Sequence, residues 1–216
     1  MADEYLKDFK LVGGTALALM IGHRISVDID LFTEFSFDAE KTGEELSKKY
    51  KVDNLEIDNN TINCFIEDIK VDCIAHRYPW IGNTVEIEGI RMASMEDIAA
   101  MKFNAIVQDG SRFKDFVDIY VLLEHRSLSE LLASYEQKYP GVSMVTAGKA
   151  LIYHNDVRLT QQLGLLNKSI DWSSIVKRLR EATINPQKIF KPENKLIIKK
   201  AKANTVKRSR GRRLGL

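Results

Sequence analysis

The sequence predicts a mixed α/β (α+β) fold, a domain built on a small mixed sheet followed by a helical C-terminal region, on three observations. Up to about residue 125, short runs with strand character alternate with helix-like segments; beyond that point the pattern is helical. The third is composition: 44% hydrophobic and 29% charged residues in a chain of 216 are the proportions of a folded, water-soluble protein rather than a disordered one. The expected organisation is a mixed domain over residues 1–125, a helical region over 126–185 and a basic segment over 186–216. No internal repeat is visible.

Phe9-Lys10-Leu11-Val12 reads as a first strand that runs into Gly13-Gly14, and Thr15 to Ile21 as a helix with Thr15 as its N-cap. Only eight residues precede that strand, which leaves one flank of the expected sheet bare. Ser26 to Phe32 alternates, with Val27, Ile29 and Leu31 expected to face the core while Ser26, Asp28, Asp30 and Phe32 face the other way. Asp38 to Tyr50, rich in Glu and Lys, reads as an exposed helix. Strands are expected near 51–57, 61–67 and 69–75, the last two joined at a tight corner on Asp68. Ser94-Met95-Glu96-Asp97 resembles a capping box with Asp in place of Glu and opens a helix to about Val107. Gly110-Ser111 breaks it before a further helix from Arg112 to Glu124. From Ser127 to Ala182 the pattern stays helical, interrupted at Pro140-Gly141 and near 167–170, and aromatic residues such as Tyr135, Tyr139, Tyr153 and Trp172 are expected in its core.

Several classes are excluded or made remote. The longest apolar run, Ala16 to Ile21, is six residues, against the ~20 that a membrane-spanning helix needs. The chain opens on Met1-Ala2-Asp3-Glu4 with no basic and apolar leader, and two cysteines, Cys64 and Cys73, cannot build a disulfide framework. A cytoplasmic protein with reduced thiols and no membrane partner is expected. His76, His125 and His154 lack the spacing of a zinc site. Net charge is only +2, but residues 188–216 hold eleven Lys or Arg against the single acid Glu193, so the remainder of the chain is acidic. Lys199, Lys200, Lys202, Lys207, Arg208, Arg210, Arg212 and Arg213 suit either a phosphate backbone or plain solvation.

The chemistry concentrates in Gly13-Gly14 followed, after thirteen intervening residues, by Asp28-Ile29-Asp30. Two carboxylates on one face of a strand, their Cα atoms ~6.6 Å apart, repel each other unless cations sit between them. Hard divalent ions, Mg²⁺ where phosphates complete the shell, suit such oxygen donors, and a pair of them suits phosphoryl or nucleotidyl transfer. A strand–glycine–glycine–hydroxyl–helix turn can present backbone N–H groups to an anion, which makes Gly13, Gly14 and Thr15 candidates for the phosphates of an NTP. A third acid is needed as metal ligand or base; Asp72, inside the apolar run Ile69 to Ile74, fits it, or else is a strand-end surface residue. Arg24 either grips Asp28 or a phosphate in bidentate fashion or merely braces the turn through a salt bridge; Ser26 contacts phosphate or finishes the strand; His23 reads as a hydrogen-bonded structural residue.

Leu11-Val12-Gly13-Gly14-Thr15-Ala16-Leu17-Ala18-Leu19, Gly22-His23-Arg24-Ile25-Ser26-Val27-Asp28-Ile29-Asp30-Leu31-Phe32, Met101 to Ile106 and Lys114 to Tyr120 together resemble the AbiEii/AbiGii toxin family of the nucleotidyltransferase superfamily over about residues 9–125. The resemblance implies a DNA-polymerase-β-like nucleotidyltransferase fold, Mg²⁺ held by Asp28 and Asp30 with Asp72 as third acid, and transfer of a nucleoside monophosphate from an NTP with release of pyrophosphate. It further implies an antitoxin partner and an RNA acceptor, perhaps tRNA. It makes Lys102 an NTP-phosphate contact, where an ammonium on a nearby helix suits the charge and a solvated lysine is the plain alternative. It makes Asp115 and Asp118 supporting residues; their i, i+3 spacing beside Arg112 and Lys114 is equally that of a surface ion-pair cluster. Two other readings stand beside it: a nucleotidyltransferase with a small-molecule or protein acceptor, and a nucleotide- or partner-binding module without turnover.

Overall fold

The computed structural model describes residues 3–159, 164–166 and 170–192. After a single 3₁₀ turn at Glu4–Leu6, the chain runs β1 (Lys10–Val12), α1 (Gly13–Ile21), β2 (Ile29–Thr33), α2 (Ala39–Lys49), β3 (Val52–Asp58), β4 (Thr61–Ile66), β5 (Ile69–Ala75), β6 (Val85–Ile87), β7 (Ile90–Met92), α3 (Met95–Gln108), α4 (Phe113–Leu122), α5 (Leu128–Lys138), α6 (Met144–Ile152) and α7 (Trp172–Ile184). Seven strands form one mixed sheet in the order β3-β4-β5-β2-β1-β7-β6.

Local chemistry accounts for most of these elements. Asp38 caps α2 by accepting from the Lys41 N–H, and Ser94 caps α3 by accepting from the Asp97 N–H, as the capping-box pattern predicts. Glu67 and Asp68 both take positive φ, +51° and +66°, the geometry a two-residue hairpin needs at the corner between β4 and β5. The β6–β7 hairpin was not expected: its strands are three residues each, too short for an alternation signal, and only the turn at Glu88-Gly89, with φ of +51° and +76°, marks it. It matters because β7 pairs parallel with β1 and covers the flank expected to be bare.

The strand expected from Ser26 begins only at Ile29. Val27 is 64% exposed rather than anchored in the core, because Ser26 to Asp28 lies beyond the ladder with β1 and β5. Within β2 the alternation holds. Ile29 and Leu31 face an apolar hollow with Leu11, Leu46 and Val71, whereas Asp30 and Phe32 line a cleft on the opposite side of the sheet. α3 is the spine of that second side, packing against α1, α4, α5 and α6, so the C-terminal helices share one core with the sheet. Tyr135 and Tyr139 are buried in it, but Tyr153 is exposed and Trp172 only half-buried. Among the described residues no helix is long and apolar enough to cross a membrane. The basic residues from Lys199 onward, and residues 167–169 of the break expected near 167–170, lie outside the described residues.

Candidate active site

The site begins at the turn from β1 into α1. Gly13 sits at φ +69°, a conformation that disfavours any side chain, and a Cβ there would stand 2.2 Å from Asp30 Oδ2. The first glycine is therefore required twice over, by backbone geometry and by the close approach of a carboxylate. Gly14 is required for another reason: its Cβ would meet Arg24 Nη2 at 1.9 Å, so the second glycine lets the arginine pass behind the turn. Thr15 is not the N-cap. The helix starts at Gly13 with Val12 in that position, and the Thr15 hydroxyl instead donates to the Asp28 carbonyl and lies 3.0 Å from Ser26 Oγ. Thr15 and Ser26 thereby tie the segment carrying Asp28 to the first turn of α1.

Three strands converge on Asp30. Val12 of β1 is its antiparallel partner and Asp72 of β5 its parallel partner, in the register Ile29↔Val71, Asp30↔Asp72, Leu31↔Cys73. Burial and the neighbouring Asp72 carboxylate raise the pKa of Asp30, only partly offset by Lys102 and Lys70. Asp72 is engaged on both oxygens: Asn63 Nδ2 donates to Oδ1 at 2.9 Å, and the Lys70 ammonium donates to Oδ2. Asp28, 48% exposed at its side chain, has Lys114 Nζ 3.9 Å from its Oδ2. Asp30 and Asp72 are thus brought together by the sheet, and Asp28 stands just outside it.

These residues fit a divalent ion by donor chemistry. All are hard oxygen ligands, and Asp30 is short of positive charge in a pocket that Gly13 leaves open. Among the described residues no three such side chains already converge on one ion position. The Asp72 carboxylate is engaged by Lys70 and Asn63, whereas Lys114 stands 3.9 Å from Asp28, beyond hydrogen-bond distance.

A second set of charges lies behind the turn. Asp118 accepts from Arg24 Nε at 2.7 Å and Nη2 at 3.0 Å, from His23 Nε2 at 2.9 Å, and pairs with Lys102 Nζ at 2.8 Å. Lys102 also donates to Asp115 Oδ1 at 2.6 Å, and Arg112 Nε lies 3.2 Å from Asp115 Oδ2. Asp115 and Asp118 are fully buried, so they are not a surface ion-pair cluster. Burial alone would raise the Asp118 pKa, but Lys102, His23 and Arg24 pull it far below the usual carboxylate range. Burial likewise disfavours the charge on Lys102 and Arg24, yet the two aspartates keep both firmly protonated. Arg24 thus pairs with Asp118 rather than Asp28, and Lys102 is not a solvated lysine: it is buried, paired with Asp115 and Asp118, and lines the cleft that holds Asp30.

The cleft beside Asp30 measures about 370 Å³ and is lined by Gly13, Phe32 and Ile74 of the sheet side, Lys102, Asn104 and Gln108 of α3, Arg112, and at its far end His76 with Tyr139. His76 Nε2 and the Tyr139 hydroxyl are 2.8 Å apart, and burial with the Lys138 ammonium pushes the His76 pKa down to about 4. That wall is uncharged at neutral pH. Cys73, whose thiol burial pushes up to about 12, lies on the other face of β5 and takes no part.

Residues 1–190 match the family model for the AbiEii nucleotidyl transferase toxin of type IV toxin–antitoxin systems. The chain belongs to the AbiEii toxin family. A curated relative, the uncharacterized protein aq_aa25 of Aquifex aeolicus (strain VF5), is 36% identical over 157 residues, covering 70% of this chain and 76% of its own. Among solved structures, a candidate nucleotidyltransferase from Helicobacter pylori superposes with a TM-score of 0.53 at 21% identity, over 83% of this chain and 86% of that one. JHP933, also from Helicobacter pylori, gives 0.52 at 20% identity, over 83% and 84%. At such identities these two likenesses speak for the fold, a nucleotidyltransferase-like mixed sheet with C-terminal helices. As an AbiEii-family toxin the protein is a nucleotidyltransferase, a class that uses an NTP and typically a divalent metal, and it operates with an antitoxin partner.

Asn63, Lys70 and Lys114 were not singled out from this AbiEii-family sequence, although each contacts a candidate acid. For Lys70 a signal was present, since it lies two residues before Asp72 on a strand and so shares its face. For Asn63 and Lys114 there was none, because their partners come from other elements.

Proposed function

We propose that this AbiEii-family toxin transfers a nucleoside monophosphate from a Mg²⁺-bound NTP to an acceptor hydroxyl on RNA, tRNA being the acceptor of first choice. The observation that carries the reading is the direct pairing of Asp30 with Asp72 beneath the side-chain-free turn at Gly13. Asp28, Asp30 and Asp72 would hold the metal, which when bound supplies charge neutralisation at the reacting phosphate and the departing pyrophosphate. The protein's own residues supply the rest. Gly13 and Gly14 open α1, where the first backbone N–H groups lack intrahelical acceptors and suit phosphate oxygens. Asp72, which accepts a hydrogen bond from Asn63, would take the proton of an attacking hydroxyl. The charge knot of His23, Arg24, Lys102, Asp115 and Asp118 sets the glycine turn, α3 and α4 in fixed relation, so Arg24, Lys102, Asp115 and Asp118 support the site by positioning it.

RNA is favoured over a small molecule by the eleven Lys or Arg between residues 188 and 216, which suit a phosphate backbone. The test is incubation of the protein with labelled NTPs, Mg²⁺ and total RNA. Label should enter RNA with wild type and not with Asp28→Asn or Asp30→Asn of native circular dichroism. Label in a small molecule or a protein would reassign the acceptor, and equal labelling by wild type and variants would refute the site.

A further inference from the structure

Lys70 is an unusual neighbour for a metal site. Its ammonium donates to Asp72 Oδ2, while Asn63 donates to Oδ1, so both oxygens of the third acid already accept a hydrogen bond. The parallel register sets Asp30 opposite Asp72 and Ile29 opposite Val71, and Lys70 feels the charges of Asp30 and Asp28 as well as that of Asp72. Strand alternation directs Lys70 to the face of Asp72, toward the acids and away from buried Val71 and Cys73. The side chain is 47% exposed, and lysine is a point charge on a flexible stem, able to swing into water or onto another anion without disturbing the sheet. The second lysine, Lys114, stands further from Asp28 at 3.9 Å.

We propose that Lys70 is a resident counter-ion of the acidic site that makes divalent-metal uptake depend on nucleotide. The inference rests on the metal-site reading above and adds an order to it. A bare divalent cation meets an ammonium already seated on Asp72 and is repelled by it. A triphosphate offers that ammonium another anionic partner, so the nucleotide releases Asp72 as it arrives. Metal and nucleotide then strengthen each other's binding, reciprocally, as any such coupling must. Lys70 is a positioning residue in this account, and it compensates part of the negative charge of the three carboxylates in the resting protein.

The test measures Mn²⁺ binding by titration calorimetry, with and without non-hydrolysable analogues of the four NTPs, for wild type, Lys70→Met and Lys70→Arg. Wild type should bind Mn²⁺ weakly alone and markedly tighter with an analogue. Lys70→Met should bind Mn²⁺ alone about tenfold tighter than wild type, within the usual range of coupling between sites, and should gain less from the analogue. Lys70→Arg, which keeps the charge, should stay near wild type. Mn²⁺ affinity in Lys70→Met that is equal to or weaker than wild type overturns the proposal while leaving the metal site intact. Failure of wild type to take up Mn²⁺ with any analogue removes the metal site itself, and this role of Lys70 with it.

Discussion

Two groups of aspartates stand on either side of the glycine turn, and their surroundings treat them in opposite ways. Asp115 and Asp118 are sealed from water and met by Lys102, Arg24, His23 and Arg112, so their charge is matched and Asp118 is held ionised far into acid. Asp30 lines an open cleft, with Asp72 beside it on β5 and Asp28 just outside the sheet; a lysine stands near each of those two, but among the described residues none pairs with Asp30, whose pKa is raised. The closed group is a brace whose worth lies in being complete. The open group is left short of positive charge, and that shortfall is what a metal–nucleotide complex can make good. Residue pattern puts Asp28, Asp30 and Asp72 forward as site residues and the family resemblance adds Asp115 and Asp118; charge compensation separates the two kinds.

The contrast is sharpest in Asp30→Asn. On the proposed role of Asp30 as a metal ligand, transfer should fall by ~10⁴-fold or more, about 5.5 kcal/mol of barrier, as read by label incorporation. The same change should leave the melting temperature unchanged or raise it at neutral pH, because a crowded carboxylate is removed. The sign follows from the raised folded pKa: the unfavourable term develops as pH rises from the ordinary carboxylate value of 3.8 toward the folded value, so the gain should vanish in acid. A melting temperature well below wild type at pH 7 would place Asp30 among the braces instead.

Asp118→Ala should do the reverse. It leaves Arg24 and Lys102 buried without their shared partner and should cost ~3–5 kcal/mol of stability in denaturant melts. Because the folded pKa is depressed, wild type should keep this contribution at all pH values above 3.8 and lose it only as pH falls further. An Asp118→Ala protein of native stability would dissolve the distinction drawn between the two groups.

A smaller and more local effect is expected from Gly13→Ala. A side chain at φ +69° should cost ~1–3 kcal/mol, and its Cβ must push the Asp30 carboxylate aside, so Mn²⁺ binding should be lost. Gly22→Ala is the matched control, with the same φ of +69° and nothing within 4 Å of its would-be Cβ. It should bear the backbone strain and retain the metal. Equal Mn²⁺ affinity in both variants would show that Gly13 serves the turn alone.

Much of the fold was legible in one dimension because it depends on neighbours along the chain. The cap at Ser94, the corner at Asp68, the helices after residue 127 and the alternation of Ile29, Asp30 and Leu31 are local matters of periodicity and turn chemistry. The nomination of Asp28, Asp30 and Asp72, and the family to which they point, was equally a matter of residue types at fixed spacing. What could not be read was which charges meet. Arg24 and Asp118 are 94 residues apart in the chain, and Asn63 reaches Asp72 only because β4 folds back on β5. Whether an aspartate is brace or ligand depends on burial and on the cations that packing places against it, and an ion pair between distant residues leaves no periodic trace in either segment.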